Sequence, residues 1–160
     1  MIATSTKDDL EERLSGCLCT SCEREGCKLR LDSLPISSLS IVDADKYKKC
    51  TRFKGKLCDF IIFYWTGGTK VAAVELKGGL VKEGQAQKQI DNGSKVAARV
   101  LGSHRVVDFF PILLHGRGLK RLQIDALQRV RVRFQGKGYM IIIERCGSQL
   151  ADILRRYASK

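Results

Sequence analysis

The sequence lacks any apolar run of membrane-spanning length, and its first twelve residues are polar and acidic rather than a signal peptide. A cytoplasmic protein with no membrane partner is expected. Internal repeats and low-complexity stretches are missing too, so the chain reads as globular throughout. Histidine is scarce, His104 and His115 being the two present. His115, at the end of an apolar strand, is placed to act as a base, yet without a positioned partner a structural role is the plainer reading; His104 suits the dipole at a helix C-terminus. Acid is short relative to base, 17 Asp and Glu against 29 Lys and Arg, giving a formal net charge of +12 over 160 residues. That balance favours a polyanionic partner, because Lys and Arg meeting phosphates release condensed counterions, while a merely solvated basic surface is the alternative. The length fits one domain with a core of its own.

Cysteine is abundant by comparison. Seven are present, an odd number, and without a secretion signal they point to reduced thiols or metal rather than disulfides. Cys17, Cys19, Cys22 and Cys27 fall within eleven residues. Thiolates at that density can hold a structural zinc tetrahedrally and staple a segment too short for a core. The spacing is irregular, so an iron–sulphur cluster using Cys50, Cys58 or Cys146, or a set of packed thiols, are the alternatives.

The most informative pattern is Asp59 followed sixteen positions later by Glu75-Leu76-Lys77. These lie on two apolar segments, residues 58–65 and 70–77, joined by Thr66-Gly67-Gly68-Thr69, which reads as a β-hairpin. A turn centred on Gly67, with a three-residue loop from Thr66 to Gly68, sets Asp59 opposite Glu75 with both side chains on one face. A two-residue Gly67-Gly68 turn sets Asp59 against Leu76 instead, so a functional pairing predicts an odd loop or a bulge. Glu75 and Lys77 share a face either way, since strand side chains alternate. Leu76 points inward, but its backbone carbonyl remains a hard oxygen ligand. Asp59, Glu75 and that carbonyl suit Mg2+ or Mn2+, which would polarise a phosphoryl oxygen and acidify a bound water. Lys77 would orient the water. An ion pair between Glu75 and Lys77 on the rim of an edge strand is the structural alternative.

Asp59 with Glu75-x-Lys77 resembles the signature of the PD-(D/E)xK nuclease superfamily. The resemblance covers residues 38–114, as strand, strand hairpin, helix and strand. It implies a restriction-endonuclease-like core, Asp59 and Glu75 as metal ligands, and Lys77 as the catalytic lysine. Cys58 stands where a proline often precedes the aspartate. For the acid that many members take from a preceding helix, Asp8, Asp9, Glu11 and Glu12, or else Asp43 and Asp45, are candidates. RecB-type members place a glutamine on the helix after the motif; Gln85 and Gln89 are the residues available, with Gln89 carried forward as a site residue, though the tyrosine of that motif is missing.

That helix is the clearest in the chain, residues 83–101, with Ala86, Ile90, Gly93, Ala97 and Val100 as its inward stripe. Residues 105–114 read as a buried strand that bends or runs near an edge at Pro111. Arg129, Arg131 and Arg133 alternate with apolar residues, a strand with one cationic face suited to nucleic-acid phosphates. Gln135-Gly136-Lys137-Gly138 turns it into residues 139–144, and Arg117, Lys120 and Arg121 in the preceding loop extend the basic patch. Residues 148–157 read as a serine-capped packing helix.

The expected fold is α/β, a central mixed β-sheet flanked by helices with an added C-terminal hairpin and short helix. Residues 1–37 form a Cys-rich N-terminal segment, 38–114 the catalytic core and 115–160 the basic C-terminal part of one domain. The expected function is metal-dependent hydrolysis of phosphodiester bonds, in DNA rather than RNA, by a homodimer or a member of a larger complex. A non-catalytic nucleic-acid or protein adaptor with the same fold is the rival.

Overall fold

The computed structural model describes residues 6–106 and 108–159. In chain order it contains α1 (Thr6–Arg13), β1 (Leu18–Cys19), β2 (Cys22–Arg24), β3 (Cys27–Leu29), β4 (Leu39–Asp43), α2 (Ala44–Thr51), β5 (Phe60–Thr66), β6 (Gly68–Lys77) and α3 (Glu83–Leu101). There follow β7 (Asp108–His115), α4 (Arg121–Arg129), β8 (Arg131–Phe134), β9 (Lys137–Met140), β10 (Ile142–Arg145) and α5 (Leu150–Arg156). No described helix is long and apolar enough to cross a membrane. Val107, within the predicted 105–114 strand, lies outside the described residues.

β5, β6 and β7 are apolar on both faces, the composition of strands covered from two sides. They form the centre of a mixed sheet ordered β1-β4-β5-β6-β7-β10. β4, β5 and β6 run antiparallel, and α3 then carries the chain across to β7, parallel to β6. Ile61, Phe63, Ala73 and Leu113 pack on one face with the buried stripe of α3, which is the stripe the sequence predicts. Phe60, Ile62, Val74 and Leu114 pack on the other with α5 and the β2–β3 hairpin. Gly93 permits the closeness of α3, since a Cβ there would sit 2.4 Å from the Cys58 sulfur.

Three expectations are corrected. Arg129 ends a helix rather than opening a strand, because residues 121–129, of which Arg121 was expected in a loop, form α4 around the buried Leu127. Residues 139–144 do not make one strand: β9 pairs with β8, the chain breaks at Ile141, and β10 joins the main sheet beside β7. A two-stranded ribbon cannot bury Ile141 and Ile142, whereas the sheet can. Disulfides were not expected, yet Cys27 and Cys146 are bonded across 119 residues, joining β3 to the end of β10. Pro111 is tolerated within β7 because β10 pairs only from Ile112 onward, leaving that side of the strand open at the proline.

Candidate active site

The β5–β6 ladder runs from Thr66↔Gly68 to Phe60↔Val74, with Gly67 alone at the apex. Carried one step further, this register sets Asp59 opposite Glu75, the arrangement predicted for a turn centred on Gly67. The ladder stops there. The Asp59 N–H donates to the Val74 carbonyl at 2.9 Å, one residue out of step, in the manner of a bulge. Its side-chain Oδ2 accepts the Leu76 N–H at 2.8 Å, where a β5 carbonyl would otherwise sit. The carboxylate is thereby fixed in the gap that β5 opens as it leaves β6.

Glu75 is 0 % exposed, and no backbone group reaches either of its oxygens. The Lys77 ammonium lies 2.9 Å from Glu75 Oε2 and forms an ion pair with it. Burial, then the charge of Asp59, pushes the Glu75 pKa up to about 8 against the opposing pull of Lys77. Burial also raises Asp59, opposed by the Leu76 N–H and by Arg24 and Lys77. For Lys77 burial disfavours the charge, but Glu75 and Asp59 outweigh it and hold the pKa above its ordinary value. Two carboxyls thus share a desolvated site with one ammonium, an electrostatic deficit of positive charge.

A residue in a strand turns its N–H and C=O to the same side. Leu76 gives its N–H to Asp59, so its carbonyl faces that side too, while the Lys77 carbonyl turns to β7 and accepts the Gly116 N–H at 3.0 Å. Among the described residues no three His, Cys, Asp or Glu side chains gather as a metal cluster. A divalent ion at this site would be held by two carboxylates, a carbonyl and waters, a set that suits the partly hydrated Mg2+.

Arg24 completes the surroundings, and nothing in the sequence pattern marked it. The Glu25-Gly26 turn, with positive φ at both residues, brings β2 back over the site. Arg24 pairs with Asp43 at 2.8 Å and Asp45 at 3.5 Å, and its guanidinium lies 4.4 Å above the Phe60 ring. Of the candidate further acids, Asp43 and Asp45 therefore stand near Asp59 through Arg24, and Asp43 also caps α2. The acids of α1 belong to the far end of α3: Arg13 on the same helix donates to the Val100 carbonyl at 2.8 Å.

Gln89 contacts the backbone just before Asp59, and Gln85 sits half-buried one turn earlier. The Gln89 main-chain carbonyl accepts the Cys58 N–H at 3.0 Å, its Nε2 donates to the Leu57 carbonyl at 3.3 Å, and its buried Oε1 has no donor. His115 pairs in register with Lys77 and is buried with Nδ1 unpartnered; burial, then Arg145, lowers its pKa. The arginines are elsewhere: β8 packs along α3, Arg131 and Arg133 are exposed, and the Arg131 guanidinium donates to the Gln128 and Val130 carbonyls at 2.9 and 3.0 Å.

The four-thiol zinc site is not formed. Cys17 packs on one face of the sheet and Cys22 and Cys27 on the other, and Cys27 is committed to Cys146. Burial raises the Cys17 thiol to about 11, with Cys50 beside it, and raises Cys22 and Cys58 as well.

The fold and site define a mixed α/β sheet protein with a buried carboxylate pair and a lysine where two central strands part. The chain has no significant match among protein-family models, curated proteins or solved structures.

Proposed function

We propose that the protein is a metal-dependent nuclease with a restriction-endonuclease-like core, hydrolysing phosphodiester bonds in DNA. The observation that carries this reading is Glu75: fully buried beside a second carboxyl, with the one Lys77 ammonium, 2.9 Å away, as the cation for both. Two buried carboxylates sharing one ammonium are costly unless a proton or a further cation resides there. The succession of β4, β5, β6, α3 and parallel β7 supports the same reading, being the strand, hairpin, helix and strand order of the PD-(D/E)xK resemblance.

In this reading Asp59, Glu75 and the Leu76 carbonyl hold Mg2+ or Mn2+. The ion, when bound, supplies Lewis acidity at the phosphoryl oxygen and a water of lowered pKa. Lys77 positions the attacking water and offsets charge on the phosphorane. Gln89, beside Cys58, offers its free carboxamide oxygen to the same water. The water oxygen bonds to phosphorus as the bond to the leaving sugar oxygen breaks. Arg131 and Arg133 hold backbone phosphates farther along α3.

The test is incubation with supercoiled plasmid, linear duplex, single-stranded DNA and RNA in Mg2+, Mn2+ or chelator. Metal-dependent cleavage that drops at least about a hundredfold in Lys77→Ala is expected, the scale of losing a positioned water or a charge-stabilising group. Salt-sensitive binding with no cleavage of any substrate would favour the non-catalytic adaptor.

A further inference from the structure

Two of the most exposed large apolar side chains lie on the loop that leaves the proposed site and on the segment braced against it. Leu80 is 89 % exposed and Leu122 82 % exposed, although most leucines of the chain are buried. Leu80 follows Lys77 by three residues, on the loop between β6 and α3. That loop is braced against the one after β7: Leu80 and Gly118 form a parallel bridge, and a Cβ on Gly118 would lie 2.2 Å from the Gly79 carbonyl. Gln123, next to Leu122, donates from Nε2 to the Val81 carbonyl at 2.7 Å and to Glu83 at 2.8 Å. The leucines thus ride on neighbouring segments that backbone contact and one side chain lock together.

Their surroundings are cationic. Lys82, Arg117, Lys120 and Arg121 are exposed on these segments; the acids among them are Glu83, which accepts from Gln123, and Asp125, which pairs with Arg121 at 3.4 Å. Apolar side chains held outward amid positive charge match a partner that presents phosphates and apolar faces together. Nucleic-acid bases have such faces only where they are unstacked. Two leucines cannot reach them inside a continuous duplex without breaking a base step.

We propose that Leu80 and Leu122 contact unstacked bases of the strand entering the site, so that the substrate is single-stranded or locally opened nucleic acid rather than continuous duplex. This rests on the nuclease reading for its substrate class, but its test requires no turnover. Lys82, Arg117 and Lys120 grip the flanking phosphates, and the leucines fill the space between bases as aromatic residues do elsewhere.

The experiment measures fluorescence anisotropy, in chelator, of a labelled thymidine oligonucleotide and of a fully paired duplex of equal length over a series of salt concentrations. The wild-type protein is expected to bind the single strand more tightly. The Leu80→Ser/Leu122→Ser double variant should lose about tenfold or more on the single strand, the worth of re-exposing a leucine, with an unchanged salt slope. Arg117→Ala/Lys120→Ala should lower affinity and flatten the slope, since phosphate contacts set it. Both leucines are solvent-exposed, so serine should leave the melting temperature in place; Leu80→Gln alone is the second variant. Equal binding by wild type and leucine variants overturns the proposal, as does a wild-type dimer that the leucine variants dissolve, which would assign the patch to self-association. Cleavage assays with Lys77→Ala score the nuclease reading separately: cleavage with indifferent leucines leaves it standing, and leucine-dependent binding without cleavage removes it alone.

Discussion

Glu75 is the residue at which stability and chemistry oppose each other. An ordinary glutamate pKa is 4.5, and burial with the charge of Asp59 lifts this one to about 8. Between those values the folded protein keeps a proton that the unfolded chain has released. The stabilising contribution of the protonated group is therefore complete below about 4.5 and is lost as pH rises toward about 8. In chelator, the wild-type melting temperature should fall from about pH 5 to about pH 8 more steeply than that of Glu75→Gln, which has no proton to lose. Parallel melting curves for the two proteins would contradict the burial argument. Divalent metal should reverse the trend, protecting more at higher pH because it binds the ionised pair. That Glu75 and Lys77 share a face follows from strand alternation and was readable in the sequence. Arg24 was not, because only the folded β2–β3 hairpin places it near Asp43, Asp45 and Asp59.

Among the elements, α3 and the β5–β6 hairpin were legible because their signals are local. The helix stripe recurs at three- and four-residue steps, and the two glycines mark the turn, although only the folded ladder selects the register that aligns Asp59 with Glu75. Their mutual fit is less forgiving. Gly93→Ala would bring a Cβ within 2.4 Å of the Cys58 sulfur and 3.2 Å of the Ala73 Cβ, pushing α3 off the sheet. A loss of about 1–3 kcal/mol in urea unfolding is expected, the usual cost of overpacking. Metal-dependent activity should fall with it, because Cys58 and Gln89 hold the backbone immediately before Asp59. α4 went unseen because Leu127 is its one fully buried residue, too thin a stripe to stand out from a basic loop.

For the molecule as a whole, the Cys27–Cys146 bond ties the N-terminal hairpin to the last strand of the sheet. A loop of this length constrains the unfolded chain strongly, so reduction should cost about 2–5 kcal/mol. Thermal melts with and without reductant should differ for the wild type and coincide for Cys146→Ser; an equal response in both would remove the bond from the stability account. The net charge of +12 makes a second global prediction: nucleic-acid affinity should fall linearly on logarithmic axes with salt. An affinity indifferent to salt would show that the basic surface is only solvated.

The sequence by itself determined what depends on neighbours along the chain. Alternation placed Glu75 with Lys77, and helical periodicity defined the buried face of α3, while the Gly67-Gly68 pair marked a turn with two registers open. Only the tertiary structure decided which residues from distant segments meet. It split residues 139–145 between two sheets because Ile142 needed a two-sided interior, and it paired Cys27 with Cys146 instead of its near neighbours. It also set the acids of α1 at the far end of α3 and brought Arg24 to the carboxylates. These outcomes are fixed by which apolar faces the sheet can cover, and local spacing does not encode that.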